Sequence, residues 1–135
     1  YTAAKNAALG TNTEIINVNA LKRVVELFKG APYSEYMSYY FKNNPDYFKL
    51  NIVTLPEKFV NNFRLTLDYE EDLALFKEIE KQFNYSENNF DTFKLFEFLN
   101  ENPQIADINK NCEIAYTPDS DLMKKIIDYT TLKKQ

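Results

Sequence analysis

The sequence predicts an α/β protein with few short strands, several helices and a helical C-terminal portion. Strand-like and helix-like patterns alternate in the first half of the 135 residues, and helical patterns alone occupy the second half. Such alternation is typical of an α/β layer. Three short strands rarely form a self-sufficient sheet, so we expect part of the sheet to lie outside this chain. The chain is 44% apolar, enough for one hydrophobic core, and we expect a single domain over residues 1–135.

The first predicted elements are a strand, a tight turn and a helix. Thr13–Val18 is rich in β-branched residues and predicts the strand. Asn19 is the expected N-cap of the helix, and Gly30 stands where a residue of positive φ commonly follows a helix. Apolar side chains recur between them at helical spacing, at Leu21, Val24, Val25 and Phe28.

A second helix is predicted from Ser34 to about Asn43. Ser34 is the expected cap, and the pair Asn44 and Pro45 is the expected stop. One face of this helix carries apolar and aromatic side chains, namely Met37, Tyr40 and Phe41.

Two more strands are predicted after this helix. The segment Tyr47–Leu55 alternates apolar and polar side chains and ends before a proline. Arg64–Asp68 is short, and its alternation predicts that Leu65 and Leu67 point to one face of the sheet while the polar residues point to the other.

Helices are predicted for the rest of the chain. The clearest covers Glu70–Phe83, with acidic residues in its first turn, where the helix dipole favours them. Its expected core stripe is Leu73, Phe76, Ile79 and Phe83. Asp91 is the expected cap of a helix that ends at Asn102 and Pro103. Pro118 and Asp119 precede a last amphipathic helix with apolar residues at Leu122, Met123, Ile126 and Ile127.

Composition argues against several kinds of site and partner. Sixteen basic and twenty acidic side chains are interspersed along the chain, which argues against nucleic acid or an anionic membrane as the main partner. No apolar run has the length that a membrane span requires, so we expect a soluble protein. The chain has no histidine, which excludes a His-dependent triad and the usual zinc site.

Three further features concern location and completeness. Cys112 is the lone cysteine and suits a reducing compartment, so we expect a cytoplasmic protein. Only two glycines occur, so these residues contain no Gly-rich loop that could cradle phosphates. The chain opens at Tyr1 without a methionine, and we interpret it as a fragment of a longer protein.

Asp68 is the candidate metal ligand. It stands at the C-terminal end of a predicted strand, where open α/β sheets place their ligand sites. Mg²⁺ is usually held by one or two carboxylates plus substrate phosphates. The alternative is structural, because Asp68 and Glu71 have the spacing of a helix capping box. Asp72, one turn on, is expected to point along the helix and not to act as a second ligand.

Three other residues are candidates for binding a substrate. Glu14 begins the first predicted strand and could orient a sugar hydroxyl, or it could be an ordinary acid on an edge strand. Glu35 and Tyr36 follow the cap of the second predicted helix, and the alternative for them is a capped helix that packs its aromatic rings. Tyrosines are numerous there, and their hydroxyls suit a ligand or a partner surface.

Several short motifs follow one another between residues 10 and 109. In chain order they are Gly-x-x-x-Glu (Gly10–Glu14), Ala-Leu (Ala20, Leu21), a Ser-Glu helix (Ser34, Glu35) ending in Asn-Asn-Pro with a later Phe (Asn43, Asn44, Pro45, Phe48), Leu-Pro-Glu (Leu55–Glu57), RLTLDYEEDL (Arg64–Leu73) and ENPQIADIN (Glu101–Asn109). Together they resemble the later part of the cytidylyltransferases of the spore-coat polysaccharide biosynthesis and acylneuraminate group.

The resemblance implies a partial Rossmann-like nucleotidyltransferase fold. In that family a sugar hydroxyl attacks the α-phosphate of CTP and pyrophosphate leaves. The resemblance implies that Asp68 is a ligand of Mg²⁺, which would neutralise phosphate charge. It also implies that Glu14 and Glu35 line the sugar side. Tyr36 stands beside them at a position where relatives often have histidine, so the identity of the sugar does not carry over.

The resemblance also implies what this chain lacks. The loop with which such enzymes grip the nucleotide would precede Tyr1, so we expect the chain to supply the sugar-side and dimerisation half and to be inactive alone. Its expected partners are CTP and a sugar in the intact enzyme and, in a homodimer, a second copy. Two alternatives stay open: a non-catalytic helical interaction module, and a glycosyltransferase or hexose-1-phosphate nucleotidyltransferase of the same fold.

Overall fold

The structure is a computed structural model that describes residues 1–83, 91–114 and 120–133. No helix in these ranges is long and apolar enough to cross a membrane. Two short 3-10 turns, Ser34–Tyr36 and Glu57–Phe59, accompany the strands and α-helices. The strands and α-helices are β1 (Thr2–Lys5), α1 (Val18–Leu27), α2 (Ser38–Lys42), β2 (Asn51–Thr54), α3 (Glu70–Gln82), α4 (Thr92–Glu101), α5 (Pro103–Ala106) and α6 (Asp121–Thr130).

The described residues divide into two compact units, each with its own hydrophobic core. Unit 1 comprises the described residues within 1–3, 13–53 and 114–135, and unit 2 those within 4–12 and 54–113. The chain crosses between the units several times. The expectation of a single domain concerns independent folding, and it stays a prediction.

Unit 1 is built around packed aromatic rings. Tyr40 and Phe41 of α2 are fully buried, and Tyr1 stacks on Phe41 with ring centroids 5.4 Å apart. Phe48 meets Phe41 edge to face at 5.1 Å, a favourable geometry for aromatic pairs. Val24 is the buried residue of α1 and adds an aliphatic side chain to the same core.

Two consecutive asparagines join α2 to the end of α6 in unit 1. The buried amide of Asn44 donates to the carbonyl oxygens of Tyr40 at 2.8 Å and Thr130 at 2.7 Å. Its own oxygen accepts from the main chain of Leu132 at 2.8 Å. Asn43 donates to the hydroxyl of Thr130 at 2.8 Å. The predicted stop of the second helix is therefore also the attachment point of the last helix.

β1 and β2 form a two-stranded sheet whose pairing is parallel. The main-chain nitrogen of Tyr1 donates to the carbonyl of Lys49 at 3.0 Å, and its carbonyl accepts from Asn51 at 2.9 Å. In a parallel pair of strands, the N–H and the carbonyl of one residue bond to two different residues of the neighbouring strand, as they do here. Because this sheet is combined with helices, the predicted α/β class is confirmed in this coarse form.

Unit 2 packs α3 against α4. The predicted helix Glu70–Phe83 is confirmed to within one residue, since α3 ends at Gln82. The cap at Asp91 is also confirmed, because its carboxylate accepts from the main chain of Phe93 at 2.9 Å. The buried core of the unit consists of Ala8, Leu65, Leu75, Ile79, Leu95, Phe96 and Leu99.

Gly10 lies against the main chain of Leu65 in unit 2. Its φ is +91°, and a Cβ there would lie 2.1 Å from the carbonyl oxygen of Leu65. The approach is this close because Leu65 donates its N–H to the carbonyl of Leu9 at 2.8 Å. The first position of the Gly-x-x-x-Glu motif therefore requires glycine for two reasons, backbone conformation and space.

The predicted strand over Thr13–Val18 is wrong. Within it only Ile15 pairs, through two hydrogen bonds with Thr2 at 2.8 and 2.9 Å. The side chain of Ile15 is exposed while that of Ile16 packs against the core of unit 1, and within Thr13–Val18 the pairing does not extend beyond Ile15. The partner of Ile15, Thr2, belongs to β1. No strand was predicted there, because no helix or strand was assigned to Tyr1–Leu9.

The predicted strand over Arg64–Asp68 is also wrong. It contains one isolated bridge, between Arg64 and Leu9. Leu65 is buried but Leu67 is 63% exposed, so the expected alternation fails. The third predicted strand, within Tyr47–Leu55, is formed only over the four residues of β2, and all four are exposed.

Several helix details differ from the predictions. Asn17, not Asn19, caps α1. The second predicted helix is split at Met37 into a 3-10 turn and α2, and Ser34 does not cap it. On α3 the buried face is shifted, because Leu73 is exposed while Leu75 is buried.

The last helix also differs in one respect from its prediction. Ser120 caps α6 through a bond from the main chain of Met123 at 3.1 Å. Met123 and Ile126 are buried as predicted, whereas Ile127 is 46% exposed. Pro118 and Asp119, predicted to precede this helix, lie outside the described residues.

Candidate functional site

Asp68 lies just before the first turn of α3, with its side chain 63% exposed. The guanidinium of Arg64 donates from Nη2 to Oδ2 of Asp68 at 2.8 Å. An ion pair between one buried and one exposed partner contributes little to stability by itself. Its effect is to fix the direction of a carboxylate that solvent and ligands can reach.

Asp72 is fully buried and forms a bidentate ion pair with the same guanidinium. Oδ1 accepts from Nε of Arg64 at 2.9 Å, and Oδ2 accepts from Nη2 at 3.1 Å. Two parallel bonds of this kind fix the orientation of both groups. The sequence-based expectation that Asp72 points along the helix is wrong, because Arg64 draws its side chain back over the start of α3.

The helix cap differs from the predicted capping box of Asp68 and Glu71. Tyr69 is the N-cap of α3, and Asp72, the third helical residue, accepts from the main chain of Tyr69 at 3.0 Å. It also accepts from the main chain of Asp68 at 2.9 Å. Only the half of a capping box that the third helical residue supplies is therefore present, one position after the predicted one, and the side chain of Asp68 is left for other contacts.

Asn109 closes this arrangement from a distant part of the chain. It is 1% exposed and donates to Oδ1 of Asp72 at 2.7 Å and to the carbonyl of Arg64 at 2.9 Å. The last residue of ENPQIADIN is thus bonded to the first residue of RLTLDYEEDL. We call Arg64, Asp68, Asp72 and Asn109 the Arg64 cluster.

Electrostatics keep the buried carboxylate of the cluster charged. The Arg64 guanidinium, the two main-chain N–H groups and Asn109 hold the pKa of Asp72 well below its usual range, although burial acts in the opposite direction. The hydrogen bond to Asp72 in turn raises the pKa of Arg64. One guanidinium faces two carboxylates, so the cluster keeps a net negative charge, and the exposed end of that charge is Asp68.

Asp68 supplies the kind of ligand that the implied Mg²⁺ prefers, a hard carboxylate oxygen open to solvent. Among residues 1–83, 91–114 and 120–133, no group of three His, Cys, Asp or Glu side chains could hold a metal ion on its own. A cation at Asp68 would therefore take its remaining ligands from water and substrate phosphates, as Mg²⁺ commonly does. One carboxylate, already bonded to Arg64, is what the described residues offer such an ion, so a Mg²⁺ site here would depend on ligands from outside this chain.

An open pocket of about 340 Å³ lies next to the cluster along the chain, and Tyr69 is one of its lining residues. Glu71 and Cys112 also line it, with the thiol sulfur 3.9 Å from Oε2 of Glu71. Burial and the carboxylates of Glu71 and Asp72 raise the pKa of the Cys112 thiol. Two acidic side chains, Glu71 and Glu113, are among the residues that line the pocket.

Glu14 belongs to unit 1 and sits in a group of aromatic and basic side chains. The hydroxyl of Tyr1 donates to Glu14, and burial together with this carboxylate raises the pKa of Tyr1. Nζ of Lys42 lies 3.7 Å from Oε1 of Glu14 and 5.6 Å from the ring centroids of Tyr1 and Tyr39. A carboxylate can accept bonds from sugar hydroxyls, but the hydroxyl of Tyr1 and the ammonium of Lys42 already occupy part of Glu14.

Glu35 and Tyr36 also belong to unit 1. Both lie in the 3-10 turn Ser34–Tyr36, where Glu35 is exposed and Tyr36 is half-buried. Asp68 is the predicted site residue that belongs to unit 2. The structure therefore assigns the candidate sugar-side residues to one unit and the candidate metal ligand to the other.

Sequence reasoning missed three members of the Arg64 cluster. Arg64 and Asp72 are eight residues apart, a spacing with no meaning outside a regular element. Asn109 is a further 37 residues along the chain. The sequence does show acidic residues in the first turn of α3. Considering each of them in turn as the third residue of the helix would have identified Asp72 as a capping residue. No local pattern marks Asn109.

Comparison with known proteins gives one relative of unassigned activity. No family model matches this chain, and no solved structure matches it. The chain is 33% identical over 112 residues to the uncharacterized protein MJ1063 of Methanocaldococcus jannaschii. The match covers 82% of this chain and 45% of the relative, so the chain spans about half the length of the curated relative it matches.

Proposed function

We propose that this chain is part of a sugar-activating cytidylyltransferase of the spore-coat polysaccharide biosynthesis and acylneuraminate group. The whole protein transfers CMP from CTP to a sugar for cell-surface polysaccharide and releases pyrophosphate. This chain contributes the sugar-side and dimerisation half of a partial Rossmann-like fold. The proposal includes a cytoplasmic location, because the lone cysteine suits a reducing compartment.

The observation that carries the proposal is the convergence of three motifs in unit 2. Gly10, from Gly-x-x-x-Glu, packs on the main chain of Leu65 within RLTLDYEEDL. Asn109, from ENPQIADIN, bonds to Arg64 and Asp72 of the same block. Three of the motifs on which the resemblance rests are therefore in contact, as we expect if they form one site.

Asp68 is the proposed ligand of the magnesium ion. Mg²⁺, when bound, neutralises the phosphate charge that develops as pyrophosphate leaves. The task of this chain is to offer a solvent-accessible carboxylate at a fixed place, and the Arg64 cluster does this. Asp72 is excluded as a second ligand because its oxygens already accept five hydrogen bonds and are buried.

Glu14, Glu35 and Tyr36 are the proposed sugar-side residues. Glu14 and Glu35 are both exposed, so both offer carboxylate oxygens of the kind that accept bonds from sugar hydroxyls. Tyr36 replaces the histidine of many relatives. Its hydroxyl can donate and accept hydrogen bonds, which is the role we propose for it.

The proposal is tested on the product of the whole gene that encodes this chain. The protein is incubated with Mg²⁺, a panel of acidic and neutral sugars and each of CTP, UTP, GTP and ATP, and pyrophosphate release is measured. We expect sugar-dependent release with CTP. If release instead requires UTP, GTP or ATP together with a hexose 1-phosphate as the sugar, the result would favour a hexose-1-phosphate nucleotidyltransferase. Absence of release with any pair would contradict the proposal.

A further inference from the structure

The last helix, α6, lies beyond the motifs that carry the resemblance. These motifs end at Asn109, whereas α6 covers Asp121–Thr130. Its buried side chains include Met123 and Ile126. Within unit 1 it packs against α2, the helix that begins two residues after the turn Ser34–Tyr36. α6 is therefore an element of unit 1 to which the resemblance assigns no role.

Hydrogen bonds at the end of α2 fix the end of α6. Thr130 is fully buried, and its hydroxyl accepts from Nδ2 of Asn43 at 2.8 Å and donates to the carbonyl of Ile126 at 2.7 Å. The carbonyl of Thr130 accepts from the buried amide of Asn44 at 2.7 Å. These bonds fix the main chain from which the neighbouring side chain, that of Tyr129, extends.

The ring of Tyr129 reaches the start of the turn that contains Glu35 and Tyr36. Its centroid lies 5.1 Å from that of Tyr33, with an angle of 47° between the ring planes. Aromatic rings that attract each other have centroids about 4.5–7 Å apart. Tyr33 precedes the turn, and its carbonyl accepts from the N–H of Tyr36 at 2.9 Å. The contact with Tyr129 therefore acts on the residue to which the turn is bonded.

Tyr33 is also attached to the core of unit 1. Its N–H donates to the hydroxyl of Tyr40 at 3.1 Å, and Tyr40 is fully buried. The ring of Tyr40 meets that of Phe28 edge to face at 4.7 Å. The main chain of Tyr33 is thus bonded to the core while its ring packs on α6. Glu35 is exposed, so the place of its carboxylate follows from the backbone of the turn.

We propose that Tyr129 is a positioning residue for the sugar: its ring holds Tyr33, and Tyr33 holds the turn that presents Glu35 and Tyr36. The inference rests on the proposed function, which assigns these two residues to the sugar side. Tyr129 acts through the turn and not by contact with the sugar. Tyr129→Phe keeps the ring contact, whereas Tyr129→Ala removes it. The bonds of Thr130 hold the end of α6 in both variants.

The first test measures pyrophosphate release by the whole gene product, with CTP and the sugar of the panel that supports release. Tyr129→Ala should raise the KM for the sugar by about 3-fold to 10-fold, the loss of one aromatic contact, and leave kcat and the KM for CTP unchanged. Tyr129→Phe should restore the KM of the unaltered protein.

A control variant and the pattern of the constants separate positioning from stability. Tyr47→Ala changes another exposed tyrosine of unit 1 and should alter neither KM. If Tyr129 only stabilised the fold, its loss would lower kcat through the loss of folded enzyme and leave both KM values unchanged. The ring of Tyr129 is 53% exposed, so we expect Tyr129→Ala to fold.

A second test needs neither CTP nor a sugar. Hydrogen–deuterium exchange of the whole gene product, read by mass spectrometry in peptides within residues 33–44, reports local opening of the turn. We expect Tyr129→Ala to speed exchange of the Tyr36 amide by about 3-fold to 10-fold. Tyr129→Phe and Tyr47→Ala should leave it unchanged.

Two results would overturn the inference. One is exchange of the turn in Tyr129→Ala at the rate of the unaltered protein. The other is an unchanged KM for the sugar in Tyr129→Ala although the exchange is faster. If the gene product releases no pyrophosphate with any sugar and nucleotide, the proposed function fails, and the exchange rates still decide whether Tyr129 positions the turn.

Discussion

Unit 1 and unit 2 each contain a buried asparagine that joins distant parts of the chain, and the partners of the two amides differ. In unit 1, Asn44 bonds to neutral groups of Tyr40, Thr130 and Leu132. In unit 2, Asn109 bonds to the carboxylate of Asp72 and to the main chain of Arg64. The first network ends in neutral main-chain groups, and the second leads through Arg64 to the exposed carboxylate of Asp68.

This difference separates a structural use of a buried amide from one that can serve a site. Neutral hydrogen bonds each contribute about 1 kcal/mol and make no demand on charge. A buried ion pair contributes little over an apolar pair of the same size, yet it is costly to break. Removal of one partner of the ion pair in unit 2 should therefore cost more than removal of the amide in the neutral network of unit 1.

The largest expected effect is on the buried ion pair. Asp72→Ala leaves the guanidinium of Arg64 without its buried partner and removes the acceptor of five hydrogen bonds. We expect a loss of about 3–5 kcal/mol in the free energy of unfolding, measured by urea denaturation. Asn44→Ala, the comparison in unit 1, should cost about 2 kcal/mol. Equal losses would remove the distinction between the two networks.

The second effect compares the two glycines. Gly10→Ala in unit 2 places a Cβ on the carbonyl of Leu65, whereas Gly30→Ala in unit 1 places it in open space, although both residues have positive φ. We expect Gly10→Ala to cost about 3 kcal/mol or more, and Gly30→Ala about 1 kcal/mol for the backbone conformation alone. Thermal unfolding of the two variants measures the difference. Similar melting temperatures would contradict the close packing of Gly10 on the Arg64–Leu73 block.

The smallest effect is a difference in acid sensitivity. The pKa of Asp72 is lowered on folding, so its contribution is complete above the unfolded value of about 3.9 and is lost as pH falls. Between pH 5 and pH 3 this group alone should remove about 1 kcal/mol of stability. Asp72→Asn should lack that part of the decline, and Asn44→Ser should keep it. Denaturation at both pH values tests this, and identical declines in the two variants would count against a charged Asp72.

Local patterns in the sequence predicted the parts of the fold that depend on local interactions. The bounds of α3 and the cap of α4 follow from apolar spacing and from side chains within one turn. The strands were predicted poorly, because pairing depends on distant partners. Thr13–Val18 has high strand propensity but pairs only at Ile15, and β1 forms from a segment without a strand pattern.

The site was predictable only in its exposed member. Asp68 was identified as the last residue of a predicted strand, and that strand does not form, although the carboxylate is exposed. Asp72 and Asn109 act through contacts that span 8 and 45 residues from Arg64, and periodicity contains no information on such contacts. The capping box was misplaced by one residue because two acids at adjacent spacing competed for one role, and only the position of Arg64 decides between them.

The most direct test of the proposed role of Asp68 compares two acid-to-amide variants of the whole gene product. Asp68→Asn removes a carboxylate oxygen from the proposed magnesium ligand, while Asp107→Asn changes an exposed acid of unit 2 that is paired with Lys110. With CTP, Mg²⁺ and an accepted sugar, we predict that Asp68→Asn lowers pyrophosphate release by about 100-fold or more and that Asp107→Asn leaves it within about twofold. Release by Asp68→Asn at the level of Asp107→Asn would contradict the account.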